Sequence, residues 1–461
     1  MPPKRVLDPI LTLPVPSTVN SVCFVSPLQE SYDLSKPSVL DDDDGNGDDS
    51  DSSDDEEEEL IFRSSSLVQK SDDHQYPPSR GHSLTSLHGR FLATCHQDSG
   101  EALLWDLQRN KRVLTIQTNR DGGGLCVKRT ANTSRIVFQT RDNQGTVSLH
   151  AIDQQQQKQQ QQQEEDTTSS SIIRQYSTNH QGFCEAAPCV GDEHLIALPC
   201  GEETKVKVMD HRASEPVATL SVDGHGMITS LAMIRHPTGE RNVMVCCGAE
   251  DGSIILHDVT QSTKCTTTTS STTTTMTSTS TSYSLGKEPV LTVDVTPSQS
   301  KNETKNEHGT SSFLVGAGLA GDGEEVLELE PAKAGRAVLL KASFAPDRST
   351  FLQNNTESFG WTVQQRARLS TCRVDETSYG KPGVGICRFR PDDGRIFAIG
   401  GWDYRVRLFE RTHGQPLAII KSTVGGSLSA LDWAPDASRS GLLASASRDV
   451  NIVHVWKCYG K

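Results

Sequence analysis

The sequence has few aromatic residues and no long hydrophobic run. Phe, Trp and Tyr together make up 5% of the 461 residues. No apolar segment approaches the roughly 20 residues that a transmembrane helix needs, so the sequence predicts no membrane span. Residues 1–17 contain a basic pair but are interrupted by prolines, which argues against a secretion signal.

The chain also lacks the cysteine spacing of metal and redox sites. Its twelve cysteines are scattered, and none forms a Cys-x-x-Cys motif. Cys184 and Cys189 have no second pair at zinc-site spacing. Cys246 and Cys247 are adjacent, and adjacent residues of a strand point to opposite faces. We therefore predict buried free thiols in a reducing compartment, with no metal and no cofactor.

Basic charge is not concentrated anywhere as a nucleic-acid footprint. The net charge is −14, but residues 41–59 alone hold nine Asp and four Glu without a Lys or Arg, which leaves about −1 for the rest. A nearly neutral remainder does not favour phosphate-backbone binding. We predict no direct nucleic-acid partner.

What the chain does contain is one pattern that recurs. Residues 397–410 read as a short strand, two glycines, Trp402-Asp403 and a strand of alternating charged and apolar residues. Similar stretches occupy residues 91–107, 136–152, 243–259 and 442–456. The pattern resembles the WD40 repeat, which implies an all-β fold, the β-propeller, whose blades close into a ring.

Four segments interrupt this pattern with low-complexity or polar sequence. They are an acidic segment, a Gln-rich segment, a Ser/Thr-rich segment and a polar loop, at residues 28–86, 154–178, 262–285 and 297–311. Such segments cannot bury enough apolar area to offset chain entropy, so we predict long disordered loop insertions. About 338 of the 461 residues remain, close to seven WD40 repeats of roughly 40–45 residues each. The sequence thus predicts a single seven-bladed propeller over residues 5–461.

The two ends of this propeller are expected to meet. Val6–Leu13 lies outside any complete repeat, and we expect it to pair as the outer strand of the last blade. The segment 331–372 has no recognisable strand pattern, so its strands are not placed.

Several stretches resemble one particular WD40 family. They are residues 383–420 (beginning GVGICRFRPDDGR), Gly182-Phe183-Cys184, 248–259 (GAEDGSIILHDV) and 288–295 (EPVLTVDV). These residues resemble the ASTRA-associated protein 1 family, whose animal members are called guanine-nucleotide-binding protein beta-subunit-like protein 1. The resemblance implies a nuclear scaffold of the ASTRA assembly, which is linked to chromatin remodelling and to maturation of phosphatidylinositol-3-kinase-related kinases. The nucleus is the expected location, with the cytoplasm as an alternative.

Candidate catalytic residues have a simpler structural interpretation. His225, Asp251 and Ser253 supply the residue types of a hydrolase triad. WD40 blades use these types as a hydrogen-bond network, however, so we predict no catalytic residue and no small-molecule substrate. The glycines of residues 316–323 lack the Lys-Ser/Thr ending of a phosphate-binding loop.

One cluster of charge remains as a candidate binding site. Arg388, Arg390, Arg405 and Arg407 alternate with apolar residues, and we expect them on exposed strand faces. They are interpreted either as a solvated surface or as a patch that docks a protein partner.

The absence of a catalytic constellation predicts a non-enzymatic protein, and the resemblance implies a scaffold in a multiprotein nuclear complex. A WD40 substrate receptor of a cullin-type ubiquitin ligase is the alternative. A G-protein beta subunit is a third class, but no N-terminal coiled coil with sustained heptads is evident to support it.

Overall fold

The computed structural model describes residues 9–26, 90–117, 122–155, 167–236, 242–264, 273–298, 311–320, 336–345, 360–370, 383–421 and 426–459. All of them belong to one compact unit. The predicted acidic insertion at 28–86 lies outside the described residues, as does most of the predicted polar loop at 297–311.

The described residues form strands almost throughout, because short apolar runs alternate with polar turn residues. A single short helix, α1, covers Ala437–Ser440. The strands are, in chain order, β1 (Leu11–Pro14), β2 (Val19–Val25), β3 (Phe91–His96), β4 (Glu101–Asp106), β5 (Lys111–Gln117), β6 (Gly124–Arg129), β7 (Arg135–Thr140), β8 (Thr146–Gln155), β9 (Thr167–Ser177), β10 (Ala187–Val190), β11 (Leu195–Pro199), β12 (Lys205–Asp210), β13 (Pro216–Ser221), β14 (Ile228–Arg235), β15 (Val243–Ala249), β16 (Ser253–Lys264), β17 (Thr273–Ser284), β18 (Val290–Pro297), β19 (Ser311–Leu319), β20 (Arg336–Ala345), β21 (Gly360–Ser370), β22 (Val384–Phe389), β23 (Ile396–Gly401), β24 (Arg405–Glu410), β25 (Pro416–Lys421), β26 (Leu428–Trp433), β27 (Leu442–Ser447) and β28 (Ile452–Lys457). No helix of the described ranges has the length and apolar character to span a bilayer.

The strands form five four-stranded sheets and one eight-stranded sheet. Four of the five smaller sheets follow chain order, β2–β5, β6–β9, β18–β21 and β22–β25. The eight-stranded sheet contains β10–β17, and its two halves meet through a short parallel pairing of β10 with β14. The architecture is that of an all-β propeller.

The innermost strands of these sheets surround a central channel. Strands β2, β6, β10, β14, β18, β22 and β26 each contact the next one in this order, and β26 contacts β2. The hydrophobic clusters lie between neighbouring sheets; one of them packs Ile386 and Val406 against Leu431 and Trp456. Each sheet thus buries both faces against its neighbours, which a single blade could not do alone.

The last sheet closes the ring with a strand from the other end of the chain. β1 pairs antiparallel with β28, with Leu11 opposite Val455 and Leu13 opposite Val453. The expectation of a closing strand is confirmed over Leu11–Pro14, whereas residues 6–8 of the predicted strand Val6–Leu13 lie outside the described residues.

Two predicted insertions contain strands, which corrects their boundaries. β9 (Thr167–Ser177) lies in the predicted Gln-rich insertion, and β17 (Thr273–Ser284) lies in the Ser/Thr-rich one. Both are outermost strands that pair along one edge only, β9 with β8 and β17 with β16. An outermost strand needs few apolar residues, and β-branched Thr favours extended backbone.

Candidate functional site

The mouth of the channel is built from bulges at the beginning of the innermost strands. In six of them one extra residue follows the first pairing and shifts the register. A bulge bends the strand and re-aims its side chains. Residues at four of these bulges line a cavity of about 370 Å³, namely Thr229, Leu291, Gly385 and Ser429.

Hydrogen bonds between neighbouring innermost strands hold this mouth in shape. The Asn20 side chain donates to the Gly124 carbonyl at 2.7 Å, and the Ser429 hydroxyl donates to the Val19 carbonyl at 2.9 Å. The Thr229 hydroxyl donates in the same way to a carbonyl of β18. The bulge residues therefore join adjacent sheets and fix the position of the cavity wall.

A second set of mouth residues comes from the hairpin turns. Glu250, Trp402 and Arg448 line the cavity, and each immediately precedes an aspartate in a turn. Arg141 holds the same place before Asp142. The repeat thus delivers one side chain per turn to the channel mouth.

Phe183 gives the cavity an exposed aromatic wall. Its side chain is 65% exposed, although it is large and apolar. The Arg141 guanidinium carbon lies 4.3 Å from the centre of the Phe183 ring, in cation–π geometry. Burial and the nearby Arg448 both lower the pKa of Arg141. The buried Nε of Arg141 has no hydrogen-bond partner among the described residues.

Deeper in the channel, charged side chains are joined in ion pairs. Lys128 Nζ lies 2.9 Å from Glu185 Oε2, and Arg129 Nη1 lies 2.7 Å from Asp432 Oδ2. Lys128 lines both the mouth cavity and a second cavity of about 150 Å³ farther along the channel. The two cavities therefore share one charged wall.

Two carboxylates of the channel bind backbone amides of a neighbouring sheet. Asp432 Oδ2 accepts from the Phe24 N–H at 2.9 Å, and Asp294 Oδ2 accepts from the Phe389 N–H at 2.6 Å. Burial raises the pKa of both carboxyls, and nearby arginines only partly offset that effect. Each of these carboxylates connects two adjacent sheets, so their role is structural.

Arg388, one of the four arginines predicted on an exposed face, lines the channel instead. It borders both cavities, and its Nη1 donates to the backbone carbonyl of the preceding residue, Cys387, at 2.8 Å. Burial alone would lower the pKa of Arg388, but the Asp294 and Glu185 carboxylates outweigh it and raise the pKa. None of the described carboxylates lies close enough for a direct ion pair with Arg388.

The expectation of a shared exposed arginine face is also wrong for Arg390 and Arg407. They are 7% and 6% exposed. Arg390 binds the Asp393 carboxylate, and Arg407 binds the Asp403 carboxylate with both terminal nitrogens. Arg405 is half-buried, with its Nε 3.9 Å from the Asp403 carboxylate.

The physical reason is the position of these strands in the propeller. β22 is innermost and β24 is the third strand of the same sheet. Both faces of such strands are covered by neighbouring sheets, so alternation along the strand does not create a solvent face. The four arginines do not form one surface, and the docking patch predicted from them has no common exposed face.

The candidate triad residues meet, but in an order that suits a turn. His225 Nδ1 lies 2.9 Å from Asp251 Oδ2, and the Ser253 N–H donates to Asp251 Oδ1 at 2.9 Å. The Ser253 side chain also bonds to this aspartate. Asp251 is therefore in the middle, whereas nucleophilic catalysis needs the histidine between serine and carboxylate.

The described cysteines are buried free thiols. Cys184 and Cys189 are both buried, and within the described ranges no group of three or more His, Cys, Asp or Glu could hold a metal ion. Burial raises the pKa of the Cys126 and Cys387 thiols to about 12, which disfavours the reactive thiolate.

Sequence reasoning missed the mouth residues Arg141, Phe183 and Arg448. A signal for the two arginines was present, since the dipeptide Arg-Asp occurs at the turn position of two repeat copies, 141–142 and 448–449. Reading the repeats as rings of equivalent positions would have brought both arginines to the same end of the channel.

Known proteins resemble this chain over most of its length, at low sequence identity. No protein-family model matches the chain. Guanine nucleotide-binding protein subunit beta-like protein 1 of Mus musculus is 21% identical over 391 residues, which are 84% of this chain and 91% of that protein. The Cps50 (Swd1) β-propeller domain of Myceliophteria thermophila superposes with a TM-score of 0.46 at 12% identity, covering 80% of this chain and 93% of that one. A chain of the Mitotic Checkpoint Complex gives 0.48 at 11% identity, covering 87% and 100%. This chain is thus similar over most of its length to a beta-like protein.

Proposed function

We propose that this protein is a non-enzymatic WD40 scaffold subunit of a nuclear ASTRA-type complex. In this role it binds other protein subunits and contributes to chromatin remodelling and to the maturation of phosphatidylinositol-3-kinase-related kinases. The proposal joins the sequence resemblance described above to the propeller geometry.

One observation carries the proposal. The beta-like relative matches over 84% of this chain and 91% of its own length. Its name is that of the animal members of the family that residues 182–184, 248–259, 288–295 and 383–420 resemble. A match along most of both chains supports a shared architecture better than a match to one repeat would.

We also infer that the eight-stranded sheet counts as two blades, which gives seven. Its two antiparallel halves, β10–β13 and β14–β17, join through only two residue pairs, Cys189 with Met233 and Val190 with Ile234. Each half has the four strands of the other sheets. The short parallel pairing is where two innermost strands approach each other beside the channel.

The geometry supports binding over catalysis. Side chains such as Asn20 and Ser429 tie neighbouring sheets at the channel mouth, which gives a rigid ring with rims and side faces for several partners. The cavity of about 370 Å³ in the channel has charged and aromatic walls, features that suit a docked protein segment.

Affinity purification of the tagged full-length chain from nuclear extract, followed by mass spectrometry, tests the proposal. We expect subunits of an ASTRA-type assembly, including a very large kinase-related protein, above an untagged control. Recovery of only cullin-ligase components would favour a ubiquitin-ligase receptor instead. Recovery of no complex, or absence of the chain from the nuclear fraction, would also overturn the proposal.

A further inference from the structure

The channel mouth holds more guanidinium groups than it pairs. Arg141, Arg388 and Arg448 lie in or beside the cavity. Arg141 stacks on Phe183, and Arg388 donates to a backbone carbonyl. None of the three makes an ion pair with a carboxylate of the described residues, and Arg448 is exposed.

The carboxylates nearby are already engaged. Glu185 is paired with Lys128 at 2.9 Å. Glu250 Oε2 accepts from the Met227 N–H at 3.4 Å, and the deeper Asp294 accepts a backbone N–H of β22. A bond from a backbone N–H leaves the charge of Glu250 in place, yet the cations at the mouth still outnumber the carboxylates. Glu185 and Glu250 stand against four cations that line or border the cavity, namely Lys128, Arg141, Arg388 and Arg448.

Apolar surface lies next to these cations. Phe183, Met227 and Trp402 line the same cavity, and Phe183 is mostly exposed. An exposed aromatic side chain beside arginines without carboxylate partners is typical of the central part of a protein interface, where aromatic and arginine side chains contribute most of the binding energy.

We propose that the channel mouth binds an acidic segment of a partner protein, in which an Asp or Glu side chain stands next to an aromatic or aliphatic one. The carboxylate binds between Arg141 and Arg448, and the apolar side chain packs on Phe183 and Trp402. Arg388 attracts the carboxylate from deeper in the channel. This proposal rests on the proposed scaffold function and names the chemistry of one of its partners.

The excess of positive charge at the mouth favours an acidic partner segment over a basic or a purely apolar one. A basic segment would meet three arginines that lack carboxylate partners, which is unfavourable in a partly dehydrated cavity. A purely apolar segment would cover the guanidinium groups without replacing their hydration, which costs free energy. A carboxylate supplies the missing charge-assisted hydrogen bonds.

The test is selection from a random twelve-residue peptide library displayed on phage, with the purified full-length protein as bait. The library carries no phosphate, so a carboxylate is its only side-chain anion. We expect the selected peptides to be enriched in Asp or Glu adjacent to Phe, Trp, Leu or Ile. Selection of no sequence, or of sequences without acidic enrichment, overturns the proposal.

Three variants locate the binding of a selected peptide, labelled with a fluorophore. Arg448→Glu changes an exposed side chain and should weaken binding about tenfold or more, the effect of losing a charge-assisted hydrogen bond. Phe183→Ala should weaken it as well, because the apolar wall is lost. Arg112→Glu makes the same charge change on the outer strand β5 and should leave binding unchanged. Equal affinity of the Arg448→Glu and Arg112→Glu proteins would contradict the assignment to the mouth.

The two proposals fail separately. Recovery of the nuclear assembly without acidic selection would leave the scaffold function intact and remove only the acidic site. Acidic selection at the mouth without recovery of the assembly would remove the ASTRA assignment and keep the site.

Discussion

Two copies of the repeat, residues 91–107 and 243–259, have nearly the same pattern but different hydrogen-bond networks. The first forms β3 and β4, and the second forms β15 and most of β16. In the aligned sequences Trp105 corresponds to His257, and Asp106 corresponds to Asp258.

In the first copy every polar side chain at these positions has a partner. Trp105 Nε1 donates to the Thr94 hydroxyl at 3.1 Å, and that hydroxyl lies 2.9 Å from His96 Nε2. The Asp106 carboxylate accepts from Arg90 at 2.7 Å. The network joins β3, β4 and the turn before β3.

In the second copy the same positions hold buried polar atoms without partners. His257 Nε2 and Asp258 Oδ1 make no hydrogen bond within the described part of the chain. Burial lowers the pKa of His257 to about 4 and raises the pKa of Asp258 to about 6. Burial therefore disfavours the charged form of both side chains in the folded chain relative to the unfolded one.

A one-residue difference in register explains the contrast. Trp105 stands opposite Leu92 and shares a face with Thr94, whereas His257 stands opposite Val245 and shares a face with Cys247. A shift of one residue moves a side chain to the other face of the sheet. Cys246, at the place of Thr94, therefore points away from His257, and no substitution at Cys246 alone would rebuild the network.

The largest effect is expected from Asp106→Ala. It removes the carboxylate that pairs with the mostly buried Arg90, at a cost of about 3–5 kcal/mol in the free energy of unfolding. Urea unfolding at pH 8 measures the change. The control Asp98→Ala, at an exposed turn position, should cost less than about 0.5 kcal/mol. A similar loss of unfolding free energy in both variants would mean that the buried ion pair adds no more stability than an exposed turn aspartate does.

Asp258→Asn should stabilise the protein, and only at neutral and alkaline pH. The folded-state pKa of Asp258 is about 6, above the ordinary value of 3.8. The folded state therefore binds the proton more tightly, and stability from this group is lost as the pH rises through 6. The variant should gain up to about 3 kcal/mol at pH 8 and converge with the wild type near pH 4. A gain of equal size at both pH values would contradict a titration effect.

Trp105→Phe tests the donor in the first copy. The variant keeps the aromatic ring but loses the N–H that binds Thr94, so we expect a cost of about 1–2 kcal/mol. Trp456→Phe should cost a similar amount, because Trp456 Nε1 donates to the Ser445 hydroxyl at 2.8 Å. Thermal unfolding of both variants gives the comparison, and no change in either would remove the role of the indole.

At pH 8 the smallest effect is expected from His257→Leu. The substitution deletes a buried nitrogen that has no partner, so the free energy of unfolding at pH 8 should change by about 1 kcal/mol or less, toward stabilisation. The unfolded chain binds a proton on this histidine near pH 6.5 and the folded chain only near pH 4. The gain should therefore grow as the pH falls below 6.5. A clear loss of stability at pH 8 would show that His257 has a partner that Leu cannot replace.

The repeat pattern predicted the central hairpin of several sheets correctly, but it did not predict some of the strands that complete a sheet. Strands β3 with β4, β23 with β24 and β27 with β28 follow directly from alternating apolar residues around a turn. The outer strands β9 and β17 were missed because strands that pair on one edge tolerate Ser and Thr. β20 and β21 carry no turn signature that marks them as part of the repeat.

The candidate site depended on information that a single strand does not contain. Whether Arg407 is exposed depends on the neighbouring sheets and on Asp403, which binds it across the hairpin. The mouth of the channel brings together Arg141, Phe183 and Arg448 from three distant parts of the chain. The relation between equivalent turn positions, and not the pattern within any one copy, indicates that the two arginines meet, and no repeat position marks Phe183.

The pairing of β1 with β28 has a consequence for synthesis on the ribosome. Leu11–Pro14 has its partner in Ile452–Val455, more than four hundred residues later. At about 5–20 residues per second, the first strand waits roughly 20–90 s for that partner to be translated. During this interval the growing ring is an open arc with an unpaired edge, and the nascent chain is most exposed to misassembly. Proteolysis of ribosome-stalled chains should therefore find residues 9–14 protected only after β28 has emerged.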